Sequence, residues 1–474
     1  MVAASTTEPV THQRCGLRRV LVTSCVTETT SWGILHHAFP VLAGEISADT
    51  GWSLTWLTAA FSLGLVVSAG PRDRRGRSGR CSTELGLAAT DPAATDTGSV
   101  TISPAAAAAA GRTAGGEVDV LVVGGGQAAL AAGYYLQRAR RRGVTGRSFA
   151  LLDAGKEPGG AWTGGWDSLQ LFSPASFSSL PGWPMPAWRG EGNPSAAHVR
   201  AYLTAYEARY ELPVHRPVRA STVTRTADGF EVVTDRGRWR CRVLVNATGA
   251  WGRPFWPSYP GMAEFAGRQL HTVDYRRAAD FEGQTVLVVG GGNSGAQIAA
   301  DLTCRRHGRT VWVTARPPRF LPDDVDGRTL FELATRRVRA AAAGEEWEPG
   351  VGGLGDIVMV PPVLAASRRG DLEAEPMFDR LVPTGVAWDQ PPRELEVDAV
   401  VWCTGFRPDL RHLAGLPLTR RNGLPVTDPQ LPSRSVDDPA LFFLGYGDWC
   451  GPASATLIGV GAVARATVDA DQRC

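Results

Sequence analysis

EVDVLVVGGGQAALAAGYYL, residues 117–136, carries three signals in a row. An apolar, β-branched run reads as a buried strand, a glycine triplet as a tight turn, and AALAAGYYL as a helix. Gly124, Gly126 and Ala129 stand at the spacing G-x-G-x-x-G/A. Gly124 permits the turn, Gly126 lets the main chain approach a pyrophosphate, and the small Ala129 lets helix pack on strand. Gln127 follows the turn, where helix N–H groups face the phosphates. The next apolar strand, SFALLDA, ends in Asp153, where a carboxylate accepts hydrogen bonds from ribose hydroxyls. Strand, turn, helix and acid together predict a dinucleotide-binding α/β unit.

GQTVLVVGGGNSGAQIAADL, residues 283–302, repeats the pattern at Gly290, Gly292 and Gly295, with Asn293 and Ser294 after the turn. Its following strand, TVWVTARPPR, has no acid at its end and offers Arg316 instead. A guanidinium grips a phosphate through two bonds, so this site favours the 2′-phosphate of NADPH over NADH. An acid-ended site followed by an arginine-ended one implies FAD at the first and NADPH at the second. The expected fold is α/β with two Rossmann-like domains. Residues 117–269 and 403–474 form the FAD-binding domain, and residues 270–402 form an inserted NADP-binding domain.

Further stretches resemble two-dinucleotide flavoproteins. In GKEPGGAW, residues 155–162, a second glycine pair ending at Gly160 lets the backbone run along FAD, with Trp162 packing nearby. LVNATG (244–249) is similar to the strand that crosses between domains. LFFLGYGDW (441–449) resembles the Gly-Asp element, which implies that Asp448 binds the ribityl chain of FAD. FAGRQLHTVDY, residues 265–275, matches F-x-G-x-x-x-H-x-x-x-Y at Phe265, Gly267, His271 and Tyr275. That signature marks a resemblance to flavin-containing and Baeyer–Villiger-type monooxygenases. WDSLQLFSPASFSSLPGWPMP (166–186), PRFLPDDVDGR (318–328) and GGLGDIVMVPP (352–362) are similar to the small NADPH-dependent group found with arsenic-resistance genes.

The resemblance implies that NADPH reduces the flavin and that molecular oxygen then forms a peroxyflavin. This would oxygenate a small substrate at N, S or As, or at a carbonyl. One departure concerns Phe172, which stands where many relatives have an Asn near the flavin. His271 reads as a hydrogen-bonded linker residue, and no side chain is assigned as a catalytic acid or base. Trp162, Trp166 and Phe172 are candidates for the pocket wall, with ordinary core packing as their other reading. Three other readings remain open: a flavin reductase or oxidase without oxygen insertion, a membrane-anchored transporter–oxidoreductase fusion, and a redox sensor without turnover.

Composition narrows the classes. The 474 residues are 43% hydrophobic and 20% charged with a net charge of +2, so no strong field draws the chain to nucleic acid. Lys156 is the only lysine, and every other one of the 49 basic residues is arginine. Such bias discounts arginine clusters as polyanion sites; RARRRG (138–143) reads as a helix C-terminus complementing the dipole. The eight cysteines are scattered without C-x-x-C or metal-ligand spacing, which fits the reducing cytoplasm and opposes disulfide exchange.

The N-terminal part differs. Residues 20–77 resemble the first two helices of a major-facilitator transporter with its RDRRGR loop (72–77). A transporter needs about a dozen spans, so residues 1–80 are expected to be a vestigial hydrophobic segment or a membrane attachment through residues 20–70. Residues 81–116, rich in Ala, Thr, Gly and Pro, read as a disordered linker.

Overall fold

The computed structural model describes residues 115–304, 308–322, 325, 329, 357–451 and 453–471. The transporter-like segment and nearly all of the expected linker lie outside the described residues.

β1 (Glu117–Val123) runs into α1 (Gln127–Arg141), and β2 (Phe149–Leu152) lies parallel beside β1. α2 (Ala196–Arg209) begins at Ser195, whose hydroxyl accepts from the His198 N–H and so caps the helix. β3 (Val214–His215), β4 (Ala220–Thr226), β5 (Gly229–Thr234) and β6 (Gly237–Asn246) follow, and the sheet runs β3-β2-β1-β6-β5-β4. The sequence of β6 explains its double pairing. Its first half alternates, RWRCR, burying one face beside antiparallel β5. Its second half, VLVN, is buried throughout and lies parallel to β1 with helices over the sheet.

β7 (Arg268–His271), β8 (Thr285–Val289), α3 (Asn293–Cys304), β9 (Arg309–Thr314), α4 (Pro361–Arg368) and β10 (Ala374–Pro376) build the second half of the molecule. A three-stranded antiparallel sheet of β11 (Arg380–Val382), β12 (Gly385–Asp389) and β13 (Pro392–Glu396) precedes β14 (Ala399–Trp402). The parallel sheet has the order β10-β9-β8-β14-β7. β7 straddles the boundary expected at 269/270, yet it pairs with β14, so its whole length belongs to the second sheet.

β15 (Arg420–Arg421) and β16 (Leu424–Pro425) form a short hairpin. β17 (Leu441–Phe443) then rejoins the first sheet parallel to β6, and α5 (Val460–Asp471) packs against α1. Arg147 ties the end of α5 to the edge of the sheet through Asp471, at 2.5 Å. The chain therefore leaves the first sheet after β6 and returns to it with β17, enclosing the second sheet between. Among the described residues no helix is long and apolar enough to cross a membrane.

Candidate active site

Both glycine turns meet the same steric demand. The Gly124 N–H donates to the Leu152 carbonyl at 2.7 Å, and a Cβ on Gly124 (φ +135°) would lie 2.2 Å from the Ala247 oxygen. In the second half the Gly290 N–H donates to Val313 at 3.0 Å, and a Cβ there would lie 2.4 Å from the Cys403 oxygen. In each case the strand that ends in x-Thr-Gly (247–249 or 403–405) crosses directly over the turn. Gly126 differs, because a Cβ there would meet only the Gly160 Cα, at 3.8 Å. The space above it is clear for a ligand backbone. Gly160 must be glycine, since at φ +56° its Cβ would sit 2.6 Å from the Gly126 Cα. A Cβ on Gly292 would touch nothing within 4 Å, whereas one on Gly295 would lie 2.1 Å from the Gly290 oxygen. Ala129 is fully buried, as close packing of α1 requires.

A cavity of about 940 Å³ runs along the first turn, at the large end of the ligand-site range. Its lining includes Asp153, Gly155 and Val218, residues 124–128 and Gly160, and Trp162, Gln170, Phe172, Trp251 and Phe406. Asp153 is buried, with one oxygen accepting from the Gly155 N–H at 2.9 Å and the other from Arg216 Nε at 3.0 Å. Arg216 in turn grips both oxygens of Glu207, at 2.7 and 2.8 Å. This clamp comes from α2 and from the residue after β3, and local sequence carries no sign of it. Trp162 Nε1 donates to the Gln127 carboxamide oxygen at 3.0 Å, and Gln127 Nε2 donates to Ala455 at 2.7 Å. Trp251 stacks on Phe406 with ring centroids 5.1 Å apart.

Asp448 does not join this wall. It is exposed, and its Oδ1 accepts from the Ala453 N–H at 3.1 Å. The carboxylate that does line the cavity from the C-terminal part is Asp409. Burial works against its ionisation, but Arg411, bonded at 2.9 and 3.0 Å, holds its pKa below the ordinary value. Trp166 lies in the core of the second half, leaving Trp162 and Phe172 as wall residues.

Two buried histidines brace the site, and His412 also lines the cavity. His271 Nε2 donates to Gly405 at 3.1 Å while Nδ1 accepts from the Val273 N–H, and burial lowers its pKa. His412 donates to Asn246 Oδ1 at 2.7 Å, and burial pushes its pKa down to about 4. The Asn246 Nδ2 and the Thr248 N–H both donate to the Tyr446 hydroxyl, at 2.6 and 3.0 Å. Phe265, His271 and Tyr275 are all buried, and the Tyr275 hydroxyl donates to Asp301 at 2.6 Å. The signature stretch is thus a structural joint.

At the second turn Asn293 Oδ1 accepts from the Val358 N–H at 2.8 Å, and Ser294 is half-buried beside it. Arg316 is exposed at the rim, its carbonyl 3.9 Å from where a Gly291 Cβ would stand. The first cradle fits FAD: it offers a clear approach over Gly126, a carboxylate at the end of β2 and a cavity of dinucleotide size. The second, with its clear turn and rim arginine, fits NADPH.

A model of the pyridine nucleotide-disulphide oxidoreductase family matches residues 121–328. The flavin-containing monooxygenase of Stenotrophomonas maltophilia is similar with a TM-score of 0.66 and 46% identity, over 76% of this chain and 99% of that one. This chain belongs to the flavin monooxygenase family. Flavin monooxygenases are FAD- and NADPH-dependent enzymes. An uncharacterized CzcO-like oxidoreductase of Geobacillus kaustophilus is 28% identical to this flavin monooxygenase over 355 residues, 73% of this chain and 96% of its own. The indole-3-pyruvate monooxygenase YUCCA1 of rice is 34% identical over 184 residues, 37% of this chain and 43% of its own. Disulfide exchange needs neighbouring thiols, and the four described cysteines of the flavin monooxygenase, Cys241, Cys304, Cys403 and Cys450, are free.

Proposed function

We propose that the protein is an NADPH-dependent FAD monooxygenase that oxygenates a small, soft N, S or As centre or a carbonyl. The observation that carries this is one cavity lined both by the glycine cradle at Gly124 and Gly126 and by the rings of Trp162, Phe172, Trp251 and Phe406. FAD, when bound, supplies two-electron acceptance from NADPH and the activation of oxygen. One oxygen atom goes to the substrate, the other leaves as water, and NADPH supplies the two electrons.

The protein's own part is binding, orientation and exclusion of water. The α1 N-terminus and the backbone at Gly126 hold the pyrophosphate, and Asp153, fixed by Arg216 and Gly155, accepts from the ribose. The aromatic inner wall keeps water from the reacting centre, which favours oxygen transfer over loss as peroxide. His271 is bonded through both ring nitrogens, to Gly405 and Val273, and His412 Nε2 to Asn246, so neither is assigned as a catalytic acid or base. Preference for NADPH rests on Arg316, and placement in the cytoplasm is supported by the free thiols.

Turnover with labelled molecular oxygen tests the reading. Thioether, amine, arsenite and ketone substrates should each be offered with NADPH. One label in the product supports it, and label found only in peroxide with every class assigns the protein to the oxidases.

A further inference from the structure

Two stretches far apart in the chain meet the first turn of α1. Gly160 lies against Gly126, since a Cβ on Gly160 would stand 2.6 Å from the Gly126 Cα. Gly445, just after β17, lies against Ala128, since a Cβ there would stand 2.6 Å from the Ala128 Cβ. Both contacts are made by glycines, which have no side chain to bond with. Gln127, between Gly126 and Ala128 in sequence, supplies the bonds. Its Oε1 accepts from Trp162 Nε1 at 3.0 Å, and its Nε2 donates to the Ala455 carbonyl at 2.7 Å. Gln127, Trp162 and Ala455 all line the cavity. A carboxamide carries its acceptor and its donors on one plane, so the two bonds share one geometry.

The turn that carries Ala455 is closed mainly on itself. Ala453 has φ +50°, a strained conformation for a residue with a side chain. Asp448 Oδ1 accepts from the Ala453 N–H at 3.1 Å, and the Ser454 hydroxyl donates to the Gly447 carbonyl at 2.8 Å. Ala455 and Thr456 stay exposed, and Gln127 ties this turn to α1. The Trp162 ring packs only partly on the apolar core, and its N–H is spent on the same carboxamide.

We propose that Gln127 is a positioning residue for flavin and substrate. Its carboxamide fixes the Trp162 ring and the 453–456 turn relative to the α1 N-terminus, and so sets the shape of the cavity lining. The Ala455 bond serves FAD retention. The Trp162 bond keeps the ring where it excludes water during oxygen transfer. Only this second effect rests on the oxygenation reading; FAD retention does not.

The test is a double-mutant cycle on the full-length holoenzyme. Trp162→Phe keeps a ring and cuts the first bond, while Gln127→Leu cuts both. FAD affinity is read from flavin fluorescence as the holoenzyme is diluted. Peroxide released per NADPH is read at saturating FAD with methyl phenyl sulfide. Gln127→Leu should weaken FAD binding about tenfold, and Trp162→Phe no more than about twofold. Each should raise the peroxide fraction about threefold or more, and the double variant should match Gln127→Leu, because the bond is already gone. Gln127→Asn, a carboxamide too short to bridge, should behave as Gln127→Leu does. Wild-type FAD affinity in Gln127→Leu would overturn the assignment. So would full recovery by Gln127→Asn, which would reduce the role to polarity, or a double variant whose peroxide fraction compounds both single effects. If the wild type releases peroxide alone with every substrate, the oxygenation reading falls, and FAD affinity in Gln127→Leu and Gln127→Asn still decides the tether.

Discussion

Gly124 and Gly126 are two positions apart in sequence and answer to different forces. Gly124→Ala drives a methyl into the Ala247 carbonyl at a positive φ, a clash of backbone against backbone. Its expected cost is at least about 3 kcal/mol of apoprotein stability, together with loss of FAD. Gly126 has φ −85° and open space, so Gly126→Ala should change apoprotein stability by no more than about 1 kcal/mol. FAD affinity should nevertheless fall at least tenfold, because the methyl occupies the pyrophosphate's approach. Thermal unfolding and flavin titration of the two variants separate the effects. His412 offers a second test at this scale. Its folded pKa of about 4 lies below the unfolded value, so the unfolded chain takes up the proton first. Its contribution is complete above about pH 6.5 and is lost as pH falls toward 4, on the order of 3 kcal/mol in total. Denaturant unfolding in excess FAD at pH 7.5 and pH 5 should show this loss, and His412→Gln should flatten it.

Among the elements, the joint between the halves carries the signature stretch. His271 ends β7, and its ring reaches the Gly405 carbonyl on the returning linker, whose Gly405 oxygen also accepts from the Phe255 N–H at 2.9 Å. The two linkers lie side by side there, with Pro254 bridged to Phe406. His271→Leu would leave the Val273 N–H without its His271 partner and remove one of the two bonds to the Gly405 oxygen, at a cost of about 2 kcal/mol. Reduction of bound flavin by NADPH, followed by stopped-flow absorbance, should slow at least tenfold, while FAD affinity stays within twofold of wild type. Unchanged reduction would refute a positioning role.

Elements of this kind show how far sequence reading reaches. The two strand-turn-helix units were legible because each is continuous in the chain, from β1 through α1 and from β8 through α3. The position of Asp153, just after β2 and in the cavity wall, follows from the same continuous stretch. The Arg216–Glu207 clamp and the cavity position of Asp409 were not legible, because they arise only when distant segments meet. The Gly-Asp pattern at Asp448 is local, and after Gly447 (φ +91°) its exposed carboxylate accepts from Ala453. The β11–β13 sheet left no mark, being short strands within a segment otherwise read as part of a dinucleotide domain.

For the molecule as a whole, one sheet is interrupted to accommodate another. Discrimination between nicotinamide cofactors belongs to this scale, since it decides which reductant reaches the flavin. Arg316→Gln should lower the kcat/KM ratio of NADPH to NADH about tenfold or more, leaving FAD content and thermal stability unchanged, because the side chain is exposed. An unaltered ratio would place the 2′-phosphate contact elsewhere. The central claim, that two cofactor sites on one chain cooperate in oxygen transfer, is tested most directly by stoichiometry. NADPH consumed, oxygen consumed, oxygenated thioether formed and peroxide released should be measured together on the full-length holoenzyme. The account predicts one product for each NADPH and each oxygen, with little peroxide; peroxide equal to NADPH consumed, with no oxygenated product, would contradict it.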